Sequence, residues 1–267
     1  MVGEEHGDGN AQQVMHPSFL RVLEQKKRVT ERLAGIKHKI CIYSAKGGVG
    51  KTTVAVNLAY ALRAMGYSVG LLDADVDTPN VNLFLGIEGS VEAKYPLVPV
   101  AKDGVRVVST ALFLDDQKKP IMWRGPIIGK MVSEFFEETE WGALDYLIVD
   151  LGPGTSDAPL SIMQLLQMDG FVLVTTPQHI AAVNAIRSGR MARRLGVSIL
   201  GVVENMSEGN IAGGKEVAEA LECPVLGSIP RDARYGALSD AGSVPVDTDS
   251  GIMELFKGIA SRIIEGR

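Results

Sequence analysis

Apolar residues along this chain gather into short, almost unbroken runs separated by segments whose apolar positions recur every three to four residues. The short runs predict strands at Lys39–Tyr43, Ser68–Leu72, Val105–Ser109, Leu144–Val149, Gly170–Thr175, Ser198–Val203 and Val225–Ile229. The helical periods predict helices over Ser18 to about Gly35, Lys51–Met65, Ile127–Thr139, Leu160–Met168, Ala181–Leu195 and Gly214–Leu221, with Ser18 read as a cap after Pro17. Runs such as Tyr146–Val149 (YLIV) are apolar on both sides, which suits strands covered on both faces. Strand and helix alternate, so right-handed crossovers between parallel strands follow. The expected fold class is therefore α/β: three layers, with a mostly parallel central sheet between helices. Residues 1–37 read as a flexible, Gly-rich leader followed by a helical extension, and residues 38–267 as one domain.

Composition narrows this only a little. The chain of 267 residues has 27 basic and 32 acidic side chains, a net charge of −5, which disfavours a generally basic nucleic-acid binder. There are two cysteines, Cys41 and Cys223, too few for a disulfide scaffold. No basic-then-apolar leader and no run of about 18 apolar residues is present, so a cytoplasmic protein without stable membrane insertion is expected. Glycine is frequent, 30 residues, and concentrates in short clusters that look like ligand loops.

The most informative cluster is AKGGVGKTT, residues 45–53, between a predicted strand and a predicted helix. Gly47, Gly48 and Gly50 let the backbone turn tightly. The amides of Gly47, Gly48, Val49, Gly50, Lys51, Thr52 and Thr53 then converge at a helix N-terminus, which favours an anion. Lys51 can reach β- and γ-phosphates, and the Thr52 hydroxyl can hold Mg²⁺. The general pattern G-x-x-x-x-G-K-[ST] is incomplete here, because Ala45 occupies its first position. Lys46 is a second basic group at the loop entrance.

Carboxylates follow two of the strands. Asp73, Asp75 and Asp77 emerge from LLDADVD (71–77), where an open parallel sheet binds ligands. Asp73 and Asp75 alternate onto one side of an extended segment, one near the metal and the other near an attacking water. Asp77 reads as solvated or as a turn former. Asp150 ends LDYLIVD, placing a carboxylate for Mg²⁺ directly or through water. Gly152 and Gly154 give the following loop amides able to sense a phosphate. Asp157 reads as a helix cap.

These segments resemble the deviant phosphate loop of the MinD/nitrogenase-iron-protein class, and within it the Mrp/ApbC branch linked to iron–sulfur cluster assembly. WRGP (123–126), VTTPQHIAAVNAIR (174–187), GVVENMS (201–207) and LGSIPRD (226–232) carry the branch-level likeness, over roughly residues 38–262. The resemblance implies a P-loop NTPase fold and an ATP·Mg²⁺-dependent homodimer that hydrolyses ATP. It assigns Lys46 to the partner's nucleotide, Asp75 to the attacking water, Asp73 and Asp150 to the metal shell, Asn205 to the purine, and Pro230 and Arg231 to a loop closing over the base. The family usually reads D-x-P-P-G-T-G-D after the Asp150 strand. Gly152 here replaces the first proline, which should loosen that switch.

The usual C-x-x-C after the N-M-S segment is missing. An all-thiolate cluster shared across a symmetric dimer takes two thiolates from each subunit. Cys41 sits inside a strand and Cys223 follows a helix, so the expectation is a protein that does not hold an iron–sulfur cluster by the family's cysteine pair. A cysteine-bearing relative or an iron–sulfur client is the implied partner. His6, His16, His38 and His179 show no ligand spacing. Other readings remain open at this level. A positioning or partitioning ATPase could use Arg187, Arg190 and Arg194 on DNA, or the apolar stripe Ile252, Leu255, Phe256, Ile259 and Ile263 on a membrane. A nucleotide-responsive scaffold with negligible turnover is a further alternative. The terminal IEGR equals a common protease recognition tag.

Overall fold

The computed structural model describes residues 17–75, 77–88, 96–113, 135–154, 159, 162–163, 165–166 and 168–266. The expected leader, the WRGP motif with Trp123, most of the 127–139 helix and the Thr155–Asp157 turn lie outside these residues. Of the helix expected over Leu160–Met168, Ile162, Met163 and Leu165 are described and helical.

Among the described residues eight strands form one sheet: β1 (Ile36–Tyr43), β2 (Val69–Ala74), β3 (Val100–Lys102), β4 (Val105–Ser109), β5 (Leu144–Leu151), β6 (Gly170–Thr175), β7 (Ile199–Ser207) and β8 (Val225–Pro230). They lie side by side in the order β3-β4-β2-β5-β1-β6-β7-β8. All neighbours run parallel except β3 and β4. The described helices are α1 (Pro17–Arg32), α2 (Lys51–Ala64), α3 (Val81–Phe84), α4 (His179–Arg194), α5 (Gly213–Ala220), α6 (Ala233–Asp240), α7 (Pro245–Thr248) and α8 (Ser250–Glu265), with a 3₁₀ turn at Thr110–Phe113.

The alternation of short apolar runs with helical periods gives the expected layers. On one face α2 and α8 bury Val54, Leu58, Phe256 and Ile259 against Ile40, Ile42, Leu71 and Ile148. On the other, Val29 of α1, Leu33 just after it, and Ala182 and Ala185 of α4 cover Cys41, Leu147, Val149 and Leu173. Strands buried on both faces have no solvent side, which is why their sequences do not alternate.

Several boundaries differ from the sequence reading, each for a packing reason. β1 starts at Ile36, which pairs with Leu144 before the apolar run begins. The edge strand β3 was not anticipated; it folds back through Asp103 and Gly104, both at positive φ (47° and 84°), as an Asp-Gly turn allows. β7 continues past the apolar run to Ser207, so Asn205 lies within the strand. Helix α6 was also missed: it is short, and Asp232 caps it by accepting from the Arg234 amide at 2.8 Å. Ser18, expected as a cap, lies within α1.

The terminal stripe is used internally. Ile252, Phe256, Ile259 and Ile263 are buried, and α8 packs on α2 and β8. Gly227 makes this approach close: a Cβ there would lie 2.6 Å from Ile259 Cγ1. Among the described residues no helix is long and apolar enough to cross a membrane.

Candidate functional site

The site forms at the C-terminal ends of the central strands, where β1 runs into residues 44–50 and then α2. Gly48 and Gly50 adopt φ of 81° and 80°, which an L side chain rarely tolerates. This turn delivers the chain to the first turn of α2, whose leading amides have no intrahelical acceptor and face an incoming anion. Ser44 Oγ donates to the Lys46 carbonyl at 3.0 Å and stiffens the entrance. The following loop is tied to the same place: Gly154 N donates to Ser44 O (3.1 Å), and the Tyr43 hydroxyl donates to Gly154 O (2.6 Å). The replacement of proline by Gly152 therefore leaves a loop still pinned two residues later.

Parallel pairing places Asp73 opposite Asp150 on neighbouring strands. Lys51 Nζ donates to Asp150 Oδ1 at 2.6 Å, and Thr52 Oγ1 donates to Asp150 Oδ2 at 2.7 Å. Burial opposes the Lys51 charge, but Asp150, Asp75 and Asp73 outweigh it and hold its pKa above the ordinary lysine value. Asp150 is shifted up by burial, partly countered by Lys51 and Thr52. Asp73 is pushed up to about 7, first by burial and then by the charge of Asp150.

The three carboxylates divide their work. Asp73 Oδ2 accepts from Asn80 N (2.9 Å), Val81 N (3.0 Å) and Ser109 Oγ (3.0 Å), and Oδ1 accepts from Asp75 N at 3.2 Å. Its oxygens hold the amides of Asp75, Asn80 and Val81, whereas those of Asp150 take Lys51 and Thr52. Among the described residues Asp75 accepts from Thr78 N alone, at 3.0 Å, and it faces the cleft beside Gly152. Asp77 is exposed.

A cleft of about 220 Å³ runs over these groups, lined among others by Lys46, Gly47, Lys51, Thr52, Asp75 and Pro153. It adjoins a groove of about 610 Å³ between α3 and α6, sharing Thr53, Asn80 and Phe84. Lys46 and Gly47 are exposed at the mouth. Asn205 is buried and donates through Nδ2 to the Val49 carbonyl at 2.8 Å, so it braces the phosphate loop from below. Pro230 and Arg231 are exposed; Arg231 gives its amide to Ser207 O and pairs with Glu208 at 3.5 Å.

Three polar groups were overlooked in the sequence. Buried Ser109 orients Asp73. Asn57 joins α2 to α7 by accepting from Val246 N at 3.0 Å. Glu204, fully buried, holds the 207–214 segment. The available signal was the same each time: one polar residue within or at the end of an apolar run.

The arginines proposed for a DNA face, Arg187, Arg190 and Arg194, lie exposed on α4. Cys41 is fully buried in β1, where burial pushes its thiol well above the ordinary value. Cys223 is half-buried after α5, and burial raises its thiol too, with Arg193 pulling the other way.

Comparison with known proteins agrees with this geometry. A family model described as "ParA: NUBPL iron-transfer P-loop NTPase" matches residues 35–264. An iron-sulfur cluster carrier protein of Methanocaldococcus jannaschii is 40% identical over 259 residues, covering 91% of this chain and 89% of its own. A nucleotide-binding protein from Archaeoglobus fulgidus, solved in complex with ADP, is 35% identical with a TM-score of 0.71, covering 82% of this chain and 92% of that one. The septum site-determining protein MinD of Pyrococcus horikoshii, solved with Mg-ADP, shares the fold at a TM-score of 0.67 and 24% identity, covering 85% and 95%.

Proposed function

The chain belongs to the NUBPL iron-transfer P-loop NTPase family, and from that premise we propose that it is an ATP-hydrolysing switch whose two copies close on each other across their phosphate loops. The observation that carries this reading is the trio of buried Lys51 and Asp150 with half-buried Thr52, joined by bonds of 2.6 and 2.7 Å at the floor of an open cleft. Lys51 neutralises the phosphates, and the first-turn amides of α2 orient them. Thr52 and Asp150 form an oxygen-only donor set that fits Mg²⁺ and would hold it beside the phosphate oxygens. When bound, that ion supplies neutralisation of charge developing between the β- and γ-phosphates. Asp75, which accepts a single hydrogen bond among the described residues, is the carboxylate that orients water. Lys46, exposed at the mouth, reaches the nucleotide of the facing copy.

The cargo is read from the relatives and restricted by this chain's own thiols. The M. jannaschii relative is named an iron-sulfur cluster carrier protein. Here both cysteines are disfavoured as thiolates by burial and neither belongs to a C-x-x-C pair. The proposed protein therefore drives transfer beside a cysteine-bearing relative or an iron–sulfur client rather than holding the cluster by a pair of its own. Burial of the terminal stripe argues against the membrane version of a positioning ATPase.

Titration with Mg·ATP, turnover and light scattering test the proposal. Lys51→Ala should weaken binding at least ~10-fold, and Asp75→Ala should bind within a few-fold but lose about 10²-fold or more in turnover. Lys46→Ala should bind ATP yet fail to dimerise with it. Wild-type protein that binds ATP without measurable turnover would favour the scaffold reading.

A further inference from the structure

Glu204 is a buried carboxylate that the nucleotide chemistry leaves unused. It is fully buried within the last half of β7. Oε1 accepts from Ser207 Oγ at 2.7 Å, and Oε2 accepts from Ala212 N at 2.9 Å and Gly214 N at 2.8 Å. Ala212 is the N-cap position of α5, so the negative charge sits at the positive end of that helix. The packing leaves no slack, since a Cβ on Gly214 would lie 2.9 Å from Glu204 Cβ.

The next residue touches the phosphate loop. Asn205 donates to the Val49 carbonyl at 2.8 Å, and its Nδ2 lies 2.1 Å from where a Gly50 Cβ would be. Met206 then adopts φ of 56°, a left-handed conformation that L side chains rarely take, and the pairing of β7 with β8 shifts register between Glu204 and Ser207. Ser207 O in turn accepts from Arg231 N at 3.0 Å. Four consecutive residues thus join the phosphate loop, the 208–214 segment and the loop after β8 through a strained backbone.

We propose that Glu204 is a positioning residue that transmits the state of the phosphate loop to the 208–214 segment and the start of α5. A reorientation of the Val49 peptide pulls Asn205. Because Glu204 adjoins it and grips two amides of the segment, the segment follows. The outcome at the surface is the presentation of Met206 and Ile211, the large apolar side chains of this stretch that face solvent at 38% and 40% exposure. This rests on the nucleotide reading above.

The test is amide hydrogen exchange on the full chain without nucleotide, with Mg·ADP and with Mg·ATP, in wild type, Glu204→Gln and Glu204→Ala, with ATP affinity measured in parallel. Wild type should show an exchange difference of about threefold or more at 208–214 between ADP and ATP. Glu204→Gln keeps the shape, an oxygen for both amides and an NH₂ group facing Ser207, so it should keep the response. Glu204→Ala should lose the response at 208–214 while retaining protection at 44–54 and ATP affinity within roughly threefold. Wild type that binds ATP with no change at 208–214 overturns this inference alone, and needs no variant to fold. An alanine variant that exchanges faster at 208–214 in every state but still responds reveals a mere staple and overturns it too. Absence of saturable ATP binding removes this inference together with the reading beneath it.

Discussion

Lys51 and Asp150 meet at 2.6 Å beneath the phosphate loop, with only 8% and 1% of their side chains exposed. Removing one partner of such a pair strands the other charge. Asp150→Ala should cost about 3–5 kcal/mol in urea unfolding, because Lys51 keeps its burial and loses its nearest carboxylate. The double variant Lys51→Met/Asp150→Leu should recover most of that stability while remaining unable to bind Mg·ATP. A double variant as unstable as Asp150→Ala would show that the pair itself, rather than the stranded charge, sustains the fold.

Gly50 and Gly47 separate the backbone requirements of the loop from those of its ligand. Gly50 sits at φ 80°, and a Cβ there would fall 2.1 Å from Asn205 Nδ2. Gly50→Ala should break the Asn205–Val49 bond, destabilise the fold by about 1–2 kcal/mol from the left-handed backbone alone, and abolish nucleotide binding. A Cβ on Gly47 meets nothing within 4 Å. Gly47→Ala should therefore unfold like wild type and yet bind ATP more weakly, since the methyl group occupies the path of the phosphates. Equal thermal stability with unchanged affinity would place the ligand elsewhere.

The layers and the phosphate loop were legible because each rests on local signals. Runs such as YLIV announce strands covered on both sides, and AKGGVGKTT lies between a strand and a helix. The hydrogen bonding within the site was not legible. Asp73 and Asp75 are equivalent in a D-x-D pattern; only the fold reveals that Asn80, Val81 and Ser109 converge on the first and leave the second open. The resemblance that assigns Asn205 to a purine says nothing of its bond to the Val49 carbonyl, a contact 156 residues away in sequence. The register that sets Asp73 against Asp150 is likewise a tertiary fact, as is the burial of the α8 stripe.

Asp145 helps to set that register. Its carboxylate accepts from Lys37 Nζ of β1 and from the amide and hydroxyl of Ser68, which leads into β2, each at 2.8 Å. Lys37 and then Ser68 hold it well below the usual carboxylate range. A depressed carboxylate contributes stability above its unfolded pKa and loses it as pH falls through its folded value. Asp145→Asn should lower the melting temperature at pH 7, with the gap to wild type narrowing steadily below about pH 4. A gap that stays constant to pH 2.5 would assign the loss to shape rather than charge.

Cys223 decides whether this chain handles its cargo directly. A cluster bound by thiolates needs about four of them, and two copies of this chain bring two Cys223 side chains, with both Cys41 residues buried inside the sheet. Burial raises the Cys223 thiol and makes its thiolate scarcer, although Arg193 offsets part of the effect. Anaerobic reconstitution with iron and sulfide, with and without Mg·ATP, should leave no stoichiometric cluster on the desalted protein, and Cys223→Ser should behave identically. Iron and acid-labile sulfide retained at one cluster per dimer, and lost in Cys223→Ser, would mean that a thiol outside this chain completes the ligand set at a dimer axis. The substitution separates that outcome from iron adhering to surface carboxylates, because only a true thiolate site depends on Sγ.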